Sequence, residues 1–399
     1  MTTTAARPAA APHPTLSVWD AIMITLGIVI GAGIFRTPAE VAGIAGSPLA
    51  MMAIWVGGGI LSLIGALTYA ELASTYPSAG GDYSFLTRAY GRHVSFFFAW
   101  ARSTVIVTGS LALLGFVVGD YLSRILHLGP YSSAIYAGIA VVALTAMNLA
   151  GLRQSARTQT VLTVIEVIGV LLVAVAALTL GPGEAPAATP ADTGLSPGAL
   201  GLALVFVLLT YGGWNEVAYV SAEIKGGARA IVRMLTLSIA TITAIYVVFV
   251  GSLLYGLGFD ELRNSEAVGA TVMARALGPA GLGFISMAIA VAALASMNAT
   301  MLAGARSNYA VAHDWPLLGF MRGWQDERNT PAMGFIVQGA IALGLIVFGA
   351  FETDGFSTMV EFTAPVFWFF FMLTGLALFV LRRKDPDTPR PFKVPLYPV

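Results

Sequence analysis

The sequence predicts an all-α polytopic membrane protein with about ten transmembrane helices, arranged as two inverted halves of five. Three observations predict this class: the composition is strongly apolar, the apolar residues fall into long runs, and the basic residues alternate between the two sides that these runs define. A bilayer is crossed by roughly 20 helical residues, and the runs reach that length. In lipid only helices and closed barrels satisfy every backbone polar group, and runs this long indicate helices.

The composition excludes several classes of protein. The 399 residues are 57% hydrophobic and 11% charged, with a mean hydropathy of +0.80. Soluble domains usually contain about 25% charged residues, so a soluble enzyme, a secreted domain and a disordered chain are disfavoured. Lys plus Arg and Asp plus Glu each number 21, and the zero net charge excludes a basic nucleic-acid-binding surface. There is no cysteine, hence no disulfide or zinc–thiolate site, and no lysine lies in a Walker-type phosphate loop.

The domain organisation follows from where the apolar runs stop. Residues 1–15 are rich in Ala, Thr and Pro and predict a short disordered cytoplasmic tail. The stretch 181–197 predicts an extracellular linker between a first repeat at 16–180 and a second at 198–381, and 382–399 is a cytoplasmic C-terminal segment. The ten apolar runs extend over 17–44, 48–75, 94–119, 132–150, 157–180, 198–222, 232–256, 279–305, 332–350 and 358–381.

The basic residues predict the orientation. With the N-terminus in the cytoplasm, 16 of the 21 Lys and Arg fall in cytoplasmic segments, four fall outside, and Arg102 lies within the third run. This bias is the positive-inside rule, and the opposite orientation would invert it. The sequence therefore predicts a multi-pass protein of the cell (inner) membrane with both termini in the cytoplasm. Because each half has an odd number of runs, the halves insert with opposite orientation, as in many secondary transporters.

Glycines interrupt the first and sixth runs near their middles. Gly31 and Gly33 bracket Ala32 in the first run, and Gly212 and Gly213 are adjacent in the sixth. Each glycine inside a helix costs about 1 kcal/mol relative to alanine, so such pairs predict unwound segments. Matching interruptions in two inverted halves are the best indication that a sequence gives of a transporter's binding site.

Unwinding at these points frees backbone groups at membrane depth, where they are tolerated only in a protein interior or a wet cavity. A half-helix that begins after Gly33 presents N–H groups and a positive dipole end, which suits a carboxylate. Carbonyl groups released around Ile30 and Tyr211 suit an ammonium group. The alternative is close packing, because Gly27 and Gly31 form the GxxxG pattern of helix contacts. The matched pair of breaks favours a binding site.

Five stretches of the chain carry a resemblance to a known superfamily. They are IGAGIF at 30–35, ALTYAELASTYPSAGGDYSFLTRAYG at 66–91, YGGWN at 211–215 with AE at 222–223, SMN at 296–298 running to AR at 305–306, and LRRKDP at 381–386 with RPFKVPLYP at 390–398. The chain resembles the amino acid–polyamine–organocation superfamily, and is most similar to permeases related to the L-type and cationic amino acid transporters. The resemblance covers nearly the whole chain and implies the LeuT-type five-plus-five fold with broken helices 1 and 6. Members usually have twelve helices, so the last two are expected to be absent here.

The resemblance also implies the substrate contacts. The carboxylate of the substrate is expected to meet Ile30, Gly31, Ala32, Gly33 and Ile34. The amino group is expected to meet Tyr211, Gly212, Gly213 and Trp214, which also form a gate. Trp214 has a plainer interpretation as an interfacial or packing residue.

Glu166 is the candidate coupling residue. It lies about nine residues into the fifth run, roughly 13 Å from its inner end and close to the midplane, where a charge costs at least ~2.5–3.5 kcal/mol. Related permeases carry a lysine there, and the resemblance places Glu166 beside Gly27 and beside Ala292 and Ala293. Glu166 then either carries a proton or braces the first helix by hydrogen bonds to its backbone. Because alanine offers no oxygen ligand, no sodium dependence is predicted through this site.

The other charges carry weaker signals. Glu71 and Glu223 lie near inner helix ends and are expected to pair with cytoplasmic arginines. Arg102 is expected to extend its side chain inward to the membrane interface. Glu216 follows the break in the sixth run and is interpreted either as a pathway residue that favours cationic substrates or as a solvated edge charge.

The leading functional hypothesis is a secondary active transporter of L-amino acids that works by alternating access, without sodium, and by proton coupling or exchange. The alternatives are a cationic amino acid or polyamine antiporter and a membrane sensor that binds an amino acid without moving it. An intramembrane enzyme is disfavoured, since Glu166 has no evident catalytic partner. No cofactor, metal site or nucleic-acid partner is predicted. The expected partners are a small-molecule substrate and the lipid bilayer, and the oligomeric state stays open.

Overall fold

The computed structural model describes residues 14–35, 37–78, 80–183, 196–265, 268–325, 327–352, 355–395 and 397. Most of the predicted tail at 1–15 and of the predicted linker at 181–197 lies outside the described residues, so their structure is not described. Within the described ranges the regular structure is helical, apart from two isolated bridges that join Leu16 to Ile224 and Gln325 to Thr330. This confirms the predicted all-α class.

Nine helices of the described part are long and apolar enough to cross a membrane. Together with an interrupted first helix they make ten spans, numbered here in chain order. Span 1 is split into Val18–Val29, a 3₁₀ turn at Ala32–Phe35 and Thr37–Ala45. The others are span 2 (Pro48–Thr75), span 3 (Arg92–Ser123), span 4 (Ser132–Leu149), span 5 (Leu152–Thr179), span 6 (Pro197–Glu223), span 7 (Gly227–Leu257), span 8 (Pro279–Asp314), span 9 (Ala332–Gly349) and span 10 (Gly355–Lys384).

The spans coincide with the predicted runs because hydropathy and helix caps set their ends. Span 1 begins after Ser17, whose hydroxyl accepts the Asp20 amide while the Asp20 carboxylate accepts the Ser17 amide, the reciprocal pair of a capping box. Span 2 begins with Pro48 after Ser47, whose hydroxyl accepts an amide of the first turn. The sequence therefore placed these two starts correctly.

In the part of the chain that the structure describes, four short helices lie between the spans. Asp82–Tyr90 joins spans 2 and 3, and the 3₁₀ segment Pro316–Met321 follows span 8. Phe259–Arg263 and Val268–Leu277 lie between spans 7 and 8. The sequence reading had not separated these segments from the loops, because none is long enough to register as a span.

Span 1 occupies the interior of the bundle. Its first half, Val18–Val29, packs against spans 5, 7 and 8 and against Trp214–Glu223 of span 6, whereas its second half packs against the first helix of span 6. These halves are called inner and outer below after the side of the membrane that the basic residues predict for them. Large apolar side chains cover the outside of the bundle where it meets lipid, including Ile60, Ile139, Val142, Leu172 and Val175. The packing brings the interrupted middles of spans 1 and 6 to the same place.

Candidate substrate site at two helix breaks

Span 1 unwinds where its glycines lie. The α-helix ends at Val29, the Gly31 amide turns back to the Val29 carbonyl oxygen at 2.8 Å, and helical structure resumes as a 3₁₀ turn. The Gly33 amide donates no hydrogen bond to any described residue. The predicted break is confirmed, with one difference: the outer half starts with a 3₁₀ turn, and its α-helix begins only at Thr37.

Span 6 unwinds at residues 211–213. Its outer helix ends at Thr210, and the inner part, Trp214–Glu223, is a 3₁₀ helix. Gly213 has φ of 107°, a left-handed conformation that L-residues with a side chain rarely adopt. A Cβ at Gly213 would also lie 2.3 Å from Ile28 Cγ2. Only glycine fits this position, because both the dihedral angle and the contact with span 1 exclude a side chain.

The two breaks face each other. Gly213 lies against Ile28, and the Thr210 hydroxyl donates to the Thr37 hydroxyl at 2.8 Å, which joins the outer halves of spans 6 and 1. The Tyr246 hydroxyl of span 7 lies 2.7 Å from the Val29 carbonyl oxygen and 3.1 Å from the Thr210 carbonyl oxygen. The Tyr246 hydroxyl therefore lies beside the last carbonyl of Val18–Val29 and the last carbonyl of Pro197–Thr210, the two helices that end at the breaks.

The glycines keep the backbone of the breaks accessible. Gly33 is exposed and Gly31, Gly212 and Gly213 are partly exposed. The flanking side chains of Ile30, Ile34, Tyr211 and Trp214 are buried. For Ala32 the structure describes the backbone and not the side chain. The accessible groups at both breaks are thus peptide groups.

Aromatic rings surround the break in span 6. Trp214 makes edge-to-face contacts with Tyr69 at 5.3 Å and Phe371 at 5.7 Å between ring centroids. The Tyr211 hydroxyl donates to the Trp55 carbonyl oxygen at 3.2 Å, and the Tyr211 ring lies 4.9 Å from that of Tyr246. The sequence had not singled out Tyr246. A tyrosine in a membrane span carries no signal of its own.

Two surface grooves lie away from the breaks. They have volumes of about 570 and 650 Å³ and flank Trp19 on the faces of span 1 that meet spans 5 and 7. Neither groove is lined by a residue of either break. The location of the candidate site rests on the geometry of the freed peptide groups.

Gly27 lies in the contact between span 1 and span 5. A Cβ on Gly27 would lie 2.2 Å from Gln159 Nε2 and 2.3 Å from Thr163 Oγ1, so this glycine permits close packing. From the opposite side the Ser296 hydroxyl of span 8 donates to the Gly27 carbonyl oxygen at 2.9 Å. The expectation that span 8 offers only alanine at this place was incomplete, because Ser296 lies one turn beyond Ala292.

Glu166 is buried in span 5 without a partner. Its side chain is 2% exposed, and neither carboxylate oxygen makes a hydrogen bond within the described residues. A polar network fills the inner side of the same interface, formed by Asn148, Ser155, Gln159 and Asn298. The bracing role considered for Glu166 required hydrogen bonds to the backbone of span 1, and none is present in the described part.

Ion pairs hold the inner halves of the spans together. Arg102 in span 3 binds Glu216 through two hydrogen bonds of 3.0 and 2.5 Å, and both side chains are buried. The expectations that Arg102 extends to the interface and that Glu216 is a solvated edge charge were therefore wrong, because each side chain neutralises the other in the interior. The expected pairs of Glu71 and Glu223 with arginines are confirmed, with Arg382 and Arg306 as the partners. The sequence gives charges but not their distant partners.

Among the described residues no group of three His, Cys, Asp or Glu side chains could hold a metal ion. The arrangement of the breaks is consistent with binding a small zwitterion through backbone amides and carbonyls.

The paired broken helices define the class of the protein. Its structure is similar to that of MhsT in complex with L-phenylalanine, with a TM-score of 0.64 over 93% of this chain and 90% of the other at 14% identity. The fold is therefore the LeuT-type transporter fold, as the sequence predicted. The sequence profile of the amino acid permease family matches residues 16–399, and the chain belongs to that family.

Its relatives include both bacterial and animal transporters. The chain is 27% identical to the serine/threonine exchanger SteT of Bacillus subtilis, over 95% of this chain and 85% of the exchanger. It is 28% identical to the human b(0,+)-type amino acid transporter 1, over 96% and 78% of the two chains, and 27% identical to the human cystine/glutamate transporter, over 94% and 75%. The protein is thus a multi-pass membrane protein of an amino acid transporter family and not an enzyme.

Proposed function

We propose that the protein is a secondary active transporter that moves L-amino acids across the cell membrane by alternating access. The observation that carries this proposal is the pair of facing breaks, at which accessible peptide groups lie between buried side chains. The Gly33 amide and the backbone around Gly31 bind the substrate carboxylate, and the carbonyls near Ile30 and Tyr211 bind its amino group. Ala32, Ile34, Gly212, Gly213 and Trp214 complete the proposed site.

The surroundings of the site favour neutral side chains in the substrate. Trp214 and Tyr211 pack aromatic rings around the break in span 6, and the charges of Arg102 and Glu216 neutralise each other. A cationic side chain would be favoured by an unpaired carboxylate in the span that carries the break, and Glu216, which follows the break in span 6, is paired with Arg102. Cationic substrates exchanged by antiport are therefore the second candidate.

The remaining architecture is proposed on the same basis. We place the first repeat at 16–180 and the second at 198–381, with the linker outside and both termini in the cytoplasm, since the basic residues are concentrated on that side. The function is proposed to be independent of sodium, because Ala292 and Ala293 of span 8 offer no side-chain oxygen ligand and the Ser296 hydroxyl, one turn further on, donates to the Gly27 carbonyl oxygen.

Ligand-induced stabilisation tests binding. We expect the substrate, among the amino acids tested singly, to raise the melting temperature of the purified protein, since a ligand at 100 times its Kd stabilises the native state by about 2.7 kcal/mol. The D-enantiomer is the control, because it cannot place its side chain and both backbone groups in the same arrangement. If no L-amino acid stabilises the protein, the proposed site is wrong.

Counterflow in proteoliposomes separates a transporter from a sensor: binding without flux indicates a sensor.

Proton coupling through Glu166 has a test of its own. A buried carboxylate without a hydrogen-bond partner is most stable when protonated, which suits a proton carrier. We expect Glu166→Gln to retain exchange and to lose uptake driven by an inward pH gradient, because glutamine cannot release a proton. Glu361→Gln is the control, since Glu361 is exposed in span 10. Unchanged pH-driven uptake in Glu166→Gln would remove the carrier hypothesis.

A further inference from the structure

A second buried carboxylate lies on the inner side of the break in span 6. Asp82, at the start of the short helix between spans 2 and 3, is 4% exposed and accepts a hydrogen bond of 3.0 Å from the Tyr219 hydroxyl of span 6. The guanidinium of Arg102 lies 3.8 Å from the centre of the Tyr219 ring. With Glu216, which pairs with Arg102, these residues form a buried unit that is called the Asp82 cluster below.

The shape of the loop before Asp82 fits the ring of Tyr219. Gly81 has φ of 46°, and a Cβ at this position would lie 2.7 Å from two atoms of the Tyr219 ring. The ring therefore contacts both Gly81 of the loop and the guanidinium of Arg102. Because Tyr219 belongs to the inner part of span 6, Asp82 keeps its hydrogen bond only while that part lies against the loop.

The charges of the Asp82 cluster do not balance. It contains one guanidinium and two carboxylates, and both terminal nitrogens of Arg102 are bound to Glu216. Within the described residues, Asp82 Oδ1 and Arg102 Nε have no hydrogen-bond partner. Asp82 is thus a buried carboxylate without an ion pair in the described part of the chain, and burial of such a group favours its neutral form.

The groups that act on Asp82 come from three spans and differ in sign. Burial raises the pKa of the Asp82 carboxyl, Arg102 lowers it, Glu216 raises it, and Tyr69 and Tyr219 lower it, with a net value of about 6 against 3.8 for the free side chain. Span 10 also packs on the short helix, through the Tyr90 hydroxyl that donates to the Leu373 carbonyl oxygen.

We propose that Asp82 is a proton-binding site of the inner gate, which binds a proton more tightly while the inner part of span 6 is closed than after that part has moved away. On release the carboxyl O–H bond breaks and the proton passes to water on the inner side. The inference rests on the proposed alternating access and adds a proton site that is separate from Glu166.

The direction of the pH effect follows from linkage. The closed gate binds the proton more tightly than the open gate, so acid favours the closed gate. This proton-linked contribution to the free energy of closure disappears as the pH rises through about 6. If the open gate gives Asp82 its ordinary pKa, closure is favoured about tenfold more at pH 5 than at pH 7.5.

The absence of native cysteine provides a direct test. Ser221 on the inner part of span 6 is 3% exposed and accepts a hydrogen bond from the Ser78 amide at 3.3 Å, so a Ser221→Cys thiol reacts with a maleimide only when the gate opens. We measure the labelling rate between pH 5 and pH 8 in two proteins: Ser221→Cys alone, and Ser221→Cys combined with Asp82→Asn. The rate of the first protein is divided by the rate of the second, because this ratio cancels the effect of pH on the thiol itself.

The expected result is that this ratio rises about tenfold from pH 5 to pH 7.5, because only the protein with Asp82 closes in acid. A ratio that does not change with pH overturns the proposal. If Asp82→Asn does not fold, Asp82→Glu replaces it, because glutamate keeps a proton site with a different pKa. A shifted midpoint in the pH dependence of the labelling rate then supports the proposal, and an unchanged pH dependence contradicts it. Labelling needs no substrate. A failure of the transport proposal therefore leaves this test valid, and a flat ratio in a protein that transports refutes the proton site alone.

Discussion

Replacement of Gly213 by alanine is expected to abolish both transport and substrate binding. Gly213 combines a left-handed backbone with a Cβ position 2.3 Å from Ile28 Cγ2. The first property costs about 1–2 kcal/mol for a residue with a side chain, and the second forces the two breaks apart. Because the proposed site consists of peptide groups held at fixed separation, a displacement of about 1 Å is enough to lower activity 10²-fold or more.

Gly201→Ala is the matched control for Gly213→Ala. Gly201 lies in the outer helix of the same span, and a Cβ there would have no atom within 4 Å. An alanine inside a helix is more stable than a glycine by about 1 kcal/mol, so this variant should keep full activity. Uptake into proteoliposomes and ligand-induced stabilisation are measured for both. Transport by Gly213→Ala at the level of the control would show that the conformation of the break does not determine the site.

The sequence was sufficient to predict the spans and the breaks because both depend on local composition. An apolar run of bilayer length forms a helix wherever it lies in the chain, and the glycines at 31, 33, 212 and 213 weaken their own helices. The capping box at Ser17 and Asp20 likewise involves residues three apart. None of these features requires knowledge of a distant neighbour.

The partners of the buried charges were beyond the sequence for the opposite reason. Arg102 and Glu216 are 114 residues apart, and nothing local to either residue indicates that the other will neutralise it. Each was interpreted alone, and an isolated charge in a membrane protein is expected at an interface. The same limit applies to Tyr246, whose hydroxyl meets carbonyls of spans 1 and 6 only after the bundle has assembled.

Two buried acids lie in elements that pack against the broken spans. Glu166 lies in span 5, which packs against span 1, and Asp82 contacts Tyr219 in the inner part of span 6. Neither acid has an ion-pair partner within the described residues, whereas Glu71, Glu216 and Glu223 each bind an arginine. The paired acids join neighbouring spans, and the unpaired ones are the two groups that we propose to exchange protons.

The ion pair between Glu223 and Arg306 is expected to be the most important one for stability. Both side chains are fully buried, and the Arg306 guanidinium also donates to the Leu302 carbonyl oxygen at 2.8 Å. Glu223→Ala leaves an uncompensated guanidinium in the interior. Removing one partner of a buried pair typically costs 3–5 kcal/mol, so we expect the free energy of unfolding to fall by about 3–5 kcal/mol. The expected result is a marked fall in the melting temperature of the purified protein and in the amount of folded protein obtained.

Glu261→Ala provides the comparison, since Glu261 pairs with Arg275 at 2.7 Å on the exposed surface. Such pairs contribute about 0–1 kcal/mol, so this variant should melt close to the parent. The double variant Glu223→Ala with Arg306→Met removes both charges and should recover part of the loss, because the cost arises from the charge left without its partner more than from the missing attraction. If Glu223→Ala and Glu261→Ala melted at the same temperature, the inner ends of spans 6 and 8 would have to be held by packing alone, and the pair would have no structural role in closing the inner side.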